Sequence, residues 1–433
     1  MRRILLLSFA FPPDNEASAA RAGQLFDYLP EYGYQSLLVA STVFGSVRED
    51  RFVCRVPLGR TTATIAALSG LGRIFTRYCA PYEDRLGWVP HAAAAATRLI
   101  GSHPVEAIVS TSPPLAAHFA ALWLSTKYRL PWIADFQDPV FDNPGRGRKW
   151  IYPYDAIIER ILFGRADRVA ANTDTVAAAW SERYPHWSSK ISILWNCFDP
   201  REEIGPAPLP TRPYRVLAHV GDLYGGRHPC QLLASLERLG IDASAVRVRL
   251  VGRIDEDVWI EHGRQLERMR ATGLLEFENM RVSREEAARE AAEADCLVLL
   301  DLNEEPTSFQ VPSKLVNYLR IGRPILAYTP EGSPVERILA RSGIRYIAID
   351  PSAPDALGDQ KVLEFLNFPV EPRRTSAWFT ETFDARSQAR IVAGLLDELL
   401  EKDPSQSDAG QNETQGALHT KNAVGPSPGF LSR

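Results

Sequence analysis

Residues 1–30 read MRRILLLSFAFPPDNEASAARAGQLFDYLP, and this stretch decides the fold. The apolar run Ile4 to Phe11, preceded by two arginines, has the outline of a secretory leader. It stops at Pro12-Pro13, acidic Asp14 and Glu16 follow, and no small-residue cleavage site appears, so it reads as a buried first strand. Hydrophobicity that is continuous rather than alternating marks a strand covered on both faces, as in a parallel sheet. Helical spacing over 17–32 then gives strand, proline-fixed turn and helix.

The same grammar repeats. To about residue 200 the apolar runs Leu37–Ala40, Ala107–Ser110, Trp132–Asp135, Arg168–Ala171 and Ile191–Leu194 alternate with amphipathic stretches, the pattern of βαβ units. A proline-rich, charged break over 201–213 suits an extended inter-domain linker. Beyond it strands are expected at Tyr214–Val220, Val246–Val251, Leu275–Phe277, Cys296–Leu300, Pro324–Ala327 and Arg345–Ile349. The sequence thus predicts an α/β chain of two Rossmann-like domains, 1–200 and 214–374. One amphipathic helix is predicted over 375–400, with Phe379, Phe383, Ile391, Leu395 and Leu399 on its apolar face. Residues 401–433 are too poor in large apolar side chains to order.

Composition narrows the function. Among 433 residues, 49 Lys+Arg against 53 Asp+Glu leave a net charge of −4, without the bulk positive charge of a nucleic-acid binder. Five scattered cysteines without a C-x-x-C spacing argue against a disulfide framework and fit a reducing cytoplasm. No run of about 18 apolar residues predicts a membrane-spanning helix, and no metal-ligand cluster shows convincing spacing.

Open parallel sheets bind ligands beyond the carboxyl ends of their strands, so the loops there hold the candidates. After the first strand come Asn15 and small residues that let backbone approach a ligand, then Arg21. After the third, Ser110-Thr111-Ser112 reads as a helix cap, with His118 one turn on. Asp135 and Asp138 place carboxylates where an acceptor hydroxyl can surrender a proton. In the second half Gly221 and Arg227 form a glycine-rich turn with a guanidinium suited to phosphate oxygens, and Gly252-Arg253 repeats the pattern. Ser313 is expected to cap a helix whose first turn offers Lys314 and Leu315, with its dipole and free N–H groups aimed at an anion. Asn317 lies one turn further, towards a sugar hydroxyl.

Taken in order, FPPDNEASAARAGQLFDYL, VSTSPP, PWIADFQDPV, ANT with WNCFD, HVGDLYGGRHP and VPSKLVNYLRIGRPILA resemble the family 4 retaining glycosyltransferases of GT-B architecture, especially those of bacterial surface polysaccharide assembly. The resemblance spans most of residues 1–345. It implies a nucleotide-sugar donor on the second domain, a glycan or polyprenyl-linked acceptor on the first, no cofactor and metal-independent transfer. Arg227 and Lys314 fall at basic donor-diphosphate positions. The family's glutamate pair is replaced by Phe309 and Asn317, Asp222 stands where many members carry arginine, and Glu304 and Glu305 lie nearby. That departure leaves a second expectation open, a catalytically impaired GT-B protein that binds a sugar nucleotide or a partner transferase. The closing helix resembles the family's terminal helix, which crosses back to the first domain. Segment 55–98, with Arg55, Arg60, Arg73, Arg77, Arg85 and Arg98 among Ile65, Leu68, Leu71, Ile74, Phe75 and Trp88, is a candidate surface for an anionic membrane. The expected location is cytoplasmic, on the inner face of the membrane.

Overall fold

The computed structural model describes residues 1–14, 17–43, 45, 51–58, 85–141, 143, 152–280, 282–301 and 311–401. The first half alternates β1 (Arg2–Ser8), α1 (Ala17–Tyr28), β2 (Tyr34–Ser41), β3 (Val53–Val56), α2 (Trp88–Ser102), β4 (Ala107–Ser112), α3 (Ala116–Tyr128), β5 (Trp132–Phe136), α4 (Tyr152–Arg165), β6 (Arg168–Ala171), α5 (Asp174–Arg183) and β7 (Ile191–Ile193). The second contains β8 (Arg215–Val220), α6 (Cys230–Arg238), β9 (Val246–Gly252), α7 (Glu256–Ala271), β10 (Leu275–Asn279), α8 (Arg284–Ala292), β11 (Cys296–Leu300), α9 (Lys314–Ile321), β12 (Ile325–Tyr328), α10 (Pro334–Ser342), β13 (Tyr346–Ile349) and α11 (Asp355–Leu366). Two closing helices follow, α12 (Ala377–Phe383) and α13 (Ala385–Glu401).

Each half builds one wholly parallel sheet, ordered β3-β2-β1-β4-β5-β6-β7 and β10-β9-β8-β11-β12-β13. Strand geometry sends successive side chains to opposite faces. In β1, Leu5 and Leu7 enter one core while Ile4 and Leu6 enter the other. In β11, Cys296, Val298 and Leu300 face one layer of helices and Leu297 and Leu299 the opposite one. Hence the unbroken apolar runs. Two elements escape the sequence reading: β3 is a short edge strand of mixed burial, and α11 buries only Val362 and Phe365.

The predicted helix over 375–400 is two helices broken at Asp384, whose backbone is extended at φ −72° and ψ 134°. At the break Phe198 N–H donates to Phe383 O at 2.9 Å and Ala385 N–H to Phe198 O at 3.0 Å, so the chain's two crossings between domains are stitched together. Phe379 and Phe383 remain in the second domain's core. Ala385, Ala389, Val392, Leu395 and Leu396 pack against Leu6, Leu25 and Tyr28 of the first. Burying a side chain such as Leu396 contributes about 1.5–3 kcal/mol. Ile391 does not join this face; it points to solvent. Between the sheets, residues 201–213 run without regular structure along the second domain, pinned where Arg323 donates to Ala207 O at 2.7 Å and Arg212 pairs with Asp295 at 3.2 Å. Residues 402–433, expected to be disordered, lie outside the described residues.

Candidate active site

The carboxyl ends of both sheets border a single cleft of about 1270 Å³. From the first domain come Asp14, Ser18, Arg21, Gln137, Asp138, Asn172 and Asn196, and from the second Gly221, Asp222, Arg227, Ser313, Lys314 and Asn317.

Positive charge is built into the second wall. Gly221 ends β8 at φ +126°, and a Cβ there would sit 2.6 Å from Lys314 Nζ. Gly252, at φ +138°, backs onto Gly221: its Cβ would meet the Gly221 carbonyl carbon at 2.7 Å. Glycine is required twice, first to let an ammonium reach the backbone and then to let two strand ends touch. Lys314 Nζ–H donates to His219 Nε2 at 3.0 Å, and buried His219 donates from Nδ1 to Val298 O at 2.9 Å. Burial, and then the Lys314 charge, hold His219 neutral with its pKa well below the usual value. Desolvation around the Lys314 ammonium, and then the neighbouring Arg227, push the lysine down to about 7.

Arg227 is buried on the same wall, its guanidinium 4.5 Å from the Tyr224 ring centroid and donating to the Tyr224 hydroxyl. Its Nε–H finds no acceptor among the described residues. Among the described residues neither Lys314 nor Arg227 forms a close ion pair with a carboxylate, so the two basic groups share one wall, with the Asp222 and Asp301 carboxylates offsetting the lysine's charge only in part. An anion with several oxygens suits such a wall.

The first wall is held by Arg21, which is buried at the base of the cleft. It donates to Asp135 Oδ1 at 2.9 Å, Leu194 O at 2.7 Å, Asn172 Oδ1 at 2.9 Å and Asn196 Oδ1 at 2.8 Å. One guanidinium thus ties α1 to the ends of β5, β6 and β7. Asp135, which also accepts from Thr111 at 2.8 Å, is spent in this network and does not line the cleft.

The remaining candidates separate. Asp138, Arg227, Gly221, Ser313, Lys314 and Asn317 all border the cleft. His118 does not: it is fully buried, bonded at 2.7 and 2.8 Å to the Ser110 and Ser112 hydroxyls, and packed 4.2 Å from the Phe136 ring. Burial holds its pKa down to about 3, so it is a neutral core residue rather than an acid or base. Ser110, Thr111 and Ser112 end β4 and bond His118 and Asp135 in place of capping α3, whose N-cap is Leu115. Ser313 carries helical dihedrals and makes no side-chain cap. The Leu315 side chain is core and its N–H already donates to Pro312 O. Arg253 turns from the cleft to pair with Asp255 at 2.8 Å. Asp222 accepts the Arg253 N–H at 2.8 Å, which fixes the turn. Asn15, Glu304, Glu305 and Phe309 lie outside the described residues.

The arginine-rich surface is partly dismantled. Arg55 and Arg85 lie 5.4 and 5.2 Å from the ring centroids of Phe11 and Phe9, and Trp88 is fully buried. Arg98 is exposed, while Arg60, Arg73 and Arg77, with Ile65, Leu68, Leu71, Ile74 and Phe75, lie outside the described residues. Among the described residues no helix is long and apolar enough to cross a membrane.

Two parallel-sheet domains, a shared cleft at their strand ends and a final helix crossing back define the GT-B fold of nucleotide-sugar glycosyltransferases. Residues 20–202 match the model of Glycosyltransferase Family 4, in line with the resemblance read from the motifs, and the chain as a whole has the GT-B fold. No curated protein sequence matches it. HepE of Anabaena, solved in complex with UDP-glucose, superposes with a TM-score of 0.59 at 15% identity, covering 92% of this chain and 100% of its own. A glycosyltransferase from Rickettsia africae gives 0.60 at 12% identity, covering 93% and 99%. WaaG, described as involved in lipopolysaccharide biosynthesis, gives 0.52 at 12% identity, covering 96% and 100%.

Proposed function

We propose that the chain transfers a sugar from a nucleoside-diphosphate sugar to a glycan or polyprenyl-linked acceptor, with retention, in cell-surface polysaccharide assembly. The observation that carries this reading is the wall formed by Lys314 and Arg227 over Gly221: two basic groups that, among the described residues, make no close ion pair with a carboxylate, at one end of a two-domain cleft. A departing diphosphate is where negative charge grows in such a transfer, and fixed cations facing it supply the largest electrostatic stabilisation. These side chains provide that charge, and metal-independent transfer is the expectation. Asn317 is placed for a donor hydroxyl and Asp138, across the cleft, for the acceptor. Retention comes from the family resemblance. HepE with UDP-glucose and WaaG in lipopolysaccharide biosynthesis support the donor and pathway class. A cytoplasmic enzyme working at the inner membrane face is part of the same proposal.

The test is thermal stabilisation by UDP-, GDP-, TDP- and ADP-sugars, followed by donor turnover with the sugar that binds. Stabilisation by one nucleotide class and slow donor hydrolysis are expected. Asp138→Asn should leave nucleotide binding intact and lower transfer to acceptor. A chain that neither binds any of the four nor turns one over overturns the proposal.

A further inference from the structure

Behind the loop that carries Arg227, three metal-ligating side chains converge: His228 and Cys230 at the start of α6, and His262 on α7. One ligand atom from each lies within 4.8 Å of the other two. The imidazoles of His228 and His262 stand 4.1 Å apart between ring centres, at 47°. His228 Nδ1 is buried and, among the described residues, has no hydrogen-bond partner. A buried polar atom without a partner calls for an explanation, and an unseen ion is one. Cys230 is buried and free of any disulfide.

The donor set identifies the class of ion. Two imidazole nitrogens and a thiolate are ligands of zinc and its neighbours, whereas magnesium and calcium take oxygen. With metal–nitrogen bonds of about 2.0 Å and a metal–sulfur bond of about 2.3 Å, tetrahedral geometry separates ligand atoms by about 3.3–3.6 Å. The three side chains need to draw in by about 1 Å, an adjustment rotamers supply. Glu261 Oε1 lies 3.7 Å from His262 Nε2 on an exposed side chain, within reach of the fourth position.

We propose that His228, Cys230 and His262 form a zinc site that joins the start of α6 to α7 and so fixes the outgoing side of the loop Gly221–Arg227. None of the three lines the cleft, so the ion holds a loop in place and takes no part in the transfer. The proposal is independent of which donor, if any, the cleft accepts.

Tag-free, metal-stripped full chain titrated with Co²⁺ and, separately, Zn²⁺ tests it. One ion per chain should bind, with the near-ultraviolet charge-transfer absorption of a cobalt–thiolate bond and the strong visible bands of tetrahedral cobalt. Cys230→Ser should abolish the charge-transfer band. His262→Gln should weaken Zn²⁺ binding by at least about 100-fold, the upper end of what removing a mere supporting partner costs. Zn²⁺ should raise the melting temperature of the wild type and leave that of either variant unmoved. If Cys230→Ser fails to fold without metal, His262→Gln, altered at a half-buried side chain, carries the test alone. No stoichiometric binding, or binding of equal strength in wild type and His262→Gln, overturns the site.

Discussion

Lys314→Met is the most informative single change. Methionine keeps the length of the stem and removes the charge, so the variant isolates the ammonium that Gly221 admits and His219 receives. A hydrogen bond from a charged donor to a diphosphate oxygen contributes about 1.5–3 kcal/mol, so UDP should bind the variant about 10- to 150-fold more weakly. Protonation adds a second signature. With its pKa pushed down to about 7, the amine is about nine-tenths neutral at pH 8, and a bound dianion must restore the proton. Binding to the wild type at pH 8 should therefore take up as much as about 0.9 proton, and binding to Lys314→Met should lack that uptake. Stability moves with it. Between about pH 7 and the ordinary lysine value of 10.5 the unfolded chain holds a proton here that the folded chain lacks. The wild type should then gain up to about 1.4 kcal/mol per pH unit across that window from this residue, a gain missing below it and absent from the variant throughout. Calorimetric titration in buffers of different ionisation enthalpy reads the first two effects, and denaturant unfolding at pH 7 and 9 reads the third. UDP affinity within twofold of wild type, with undiminished proton uptake, would refute the role given to Lys314.

Three further outcomes follow from the same geometry. Gly252→Ala sets a Cβ 2.7 Å from backbone at φ +138°; it should cost at least the 1–3 kcal/mol of a strained dihedral, seen as a lower denaturation midpoint, and should weaken UDP binding by moving Gly221. Arg21→Met leaves Asp135 buried without its cation and should destabilise the chain by about 3–5 kcal/mol in urea unfolding. His118→Phe should cost about 1–3 kcal/mol, because the Ser112 hydroxyl loses its histidine partner and the Ser110 hydroxyl keeps only the Trp132 indole N–H at 2.8 Å, while nucleotide binding stays unchanged. Because burial holds the pKa of His118 near 3 against an ordinary 6.5, the wild type should lose stability as pH falls through that interval, and the phenylalanine variant should lose less.

The candidate site was legible where the chemistry is local. The turn Gly221–Arg227 and the first turn of α9 announce themselves by glycines beside cations, and both border the cleft. Asp138 was equally visible at a strand end. His118 and Arg253 were misread because sequence shows what a side chain offers but not what already occupies it: two serine hydroxyls in one case, Asp255 in the other. Arg21 was noticed only as lying on the helix, since its partners Asp135, Asn172 and Asn196 are more than a hundred residues away. The cluster His228, Cys230 and His262 left no spacing signal because two helices separated in sequence supply it.

Periodicity determined the architecture by itself. An apolar run such as Ile4–Leu7 that feeds cores on both faces admits only a covered strand, and a dozen repeats of strand and helix broken once by prolines leave two parallel sheets as the economical solution. The closing segment shows where that reasoning stops. Its apolar spacing suggested one helix, but spacing is blind to which core receives each residue. Phe379 and Phe383 belong to one domain and Ala389 and Leu396 to the other, so the helix breaks at Asp384 to serve both. Pairing over long sequence distances, between domains and around Arg21, Lys314 and the two histidines, was decided by tertiary structure alone, because burial and neighbouring charge arise only once the chain has closed on itself.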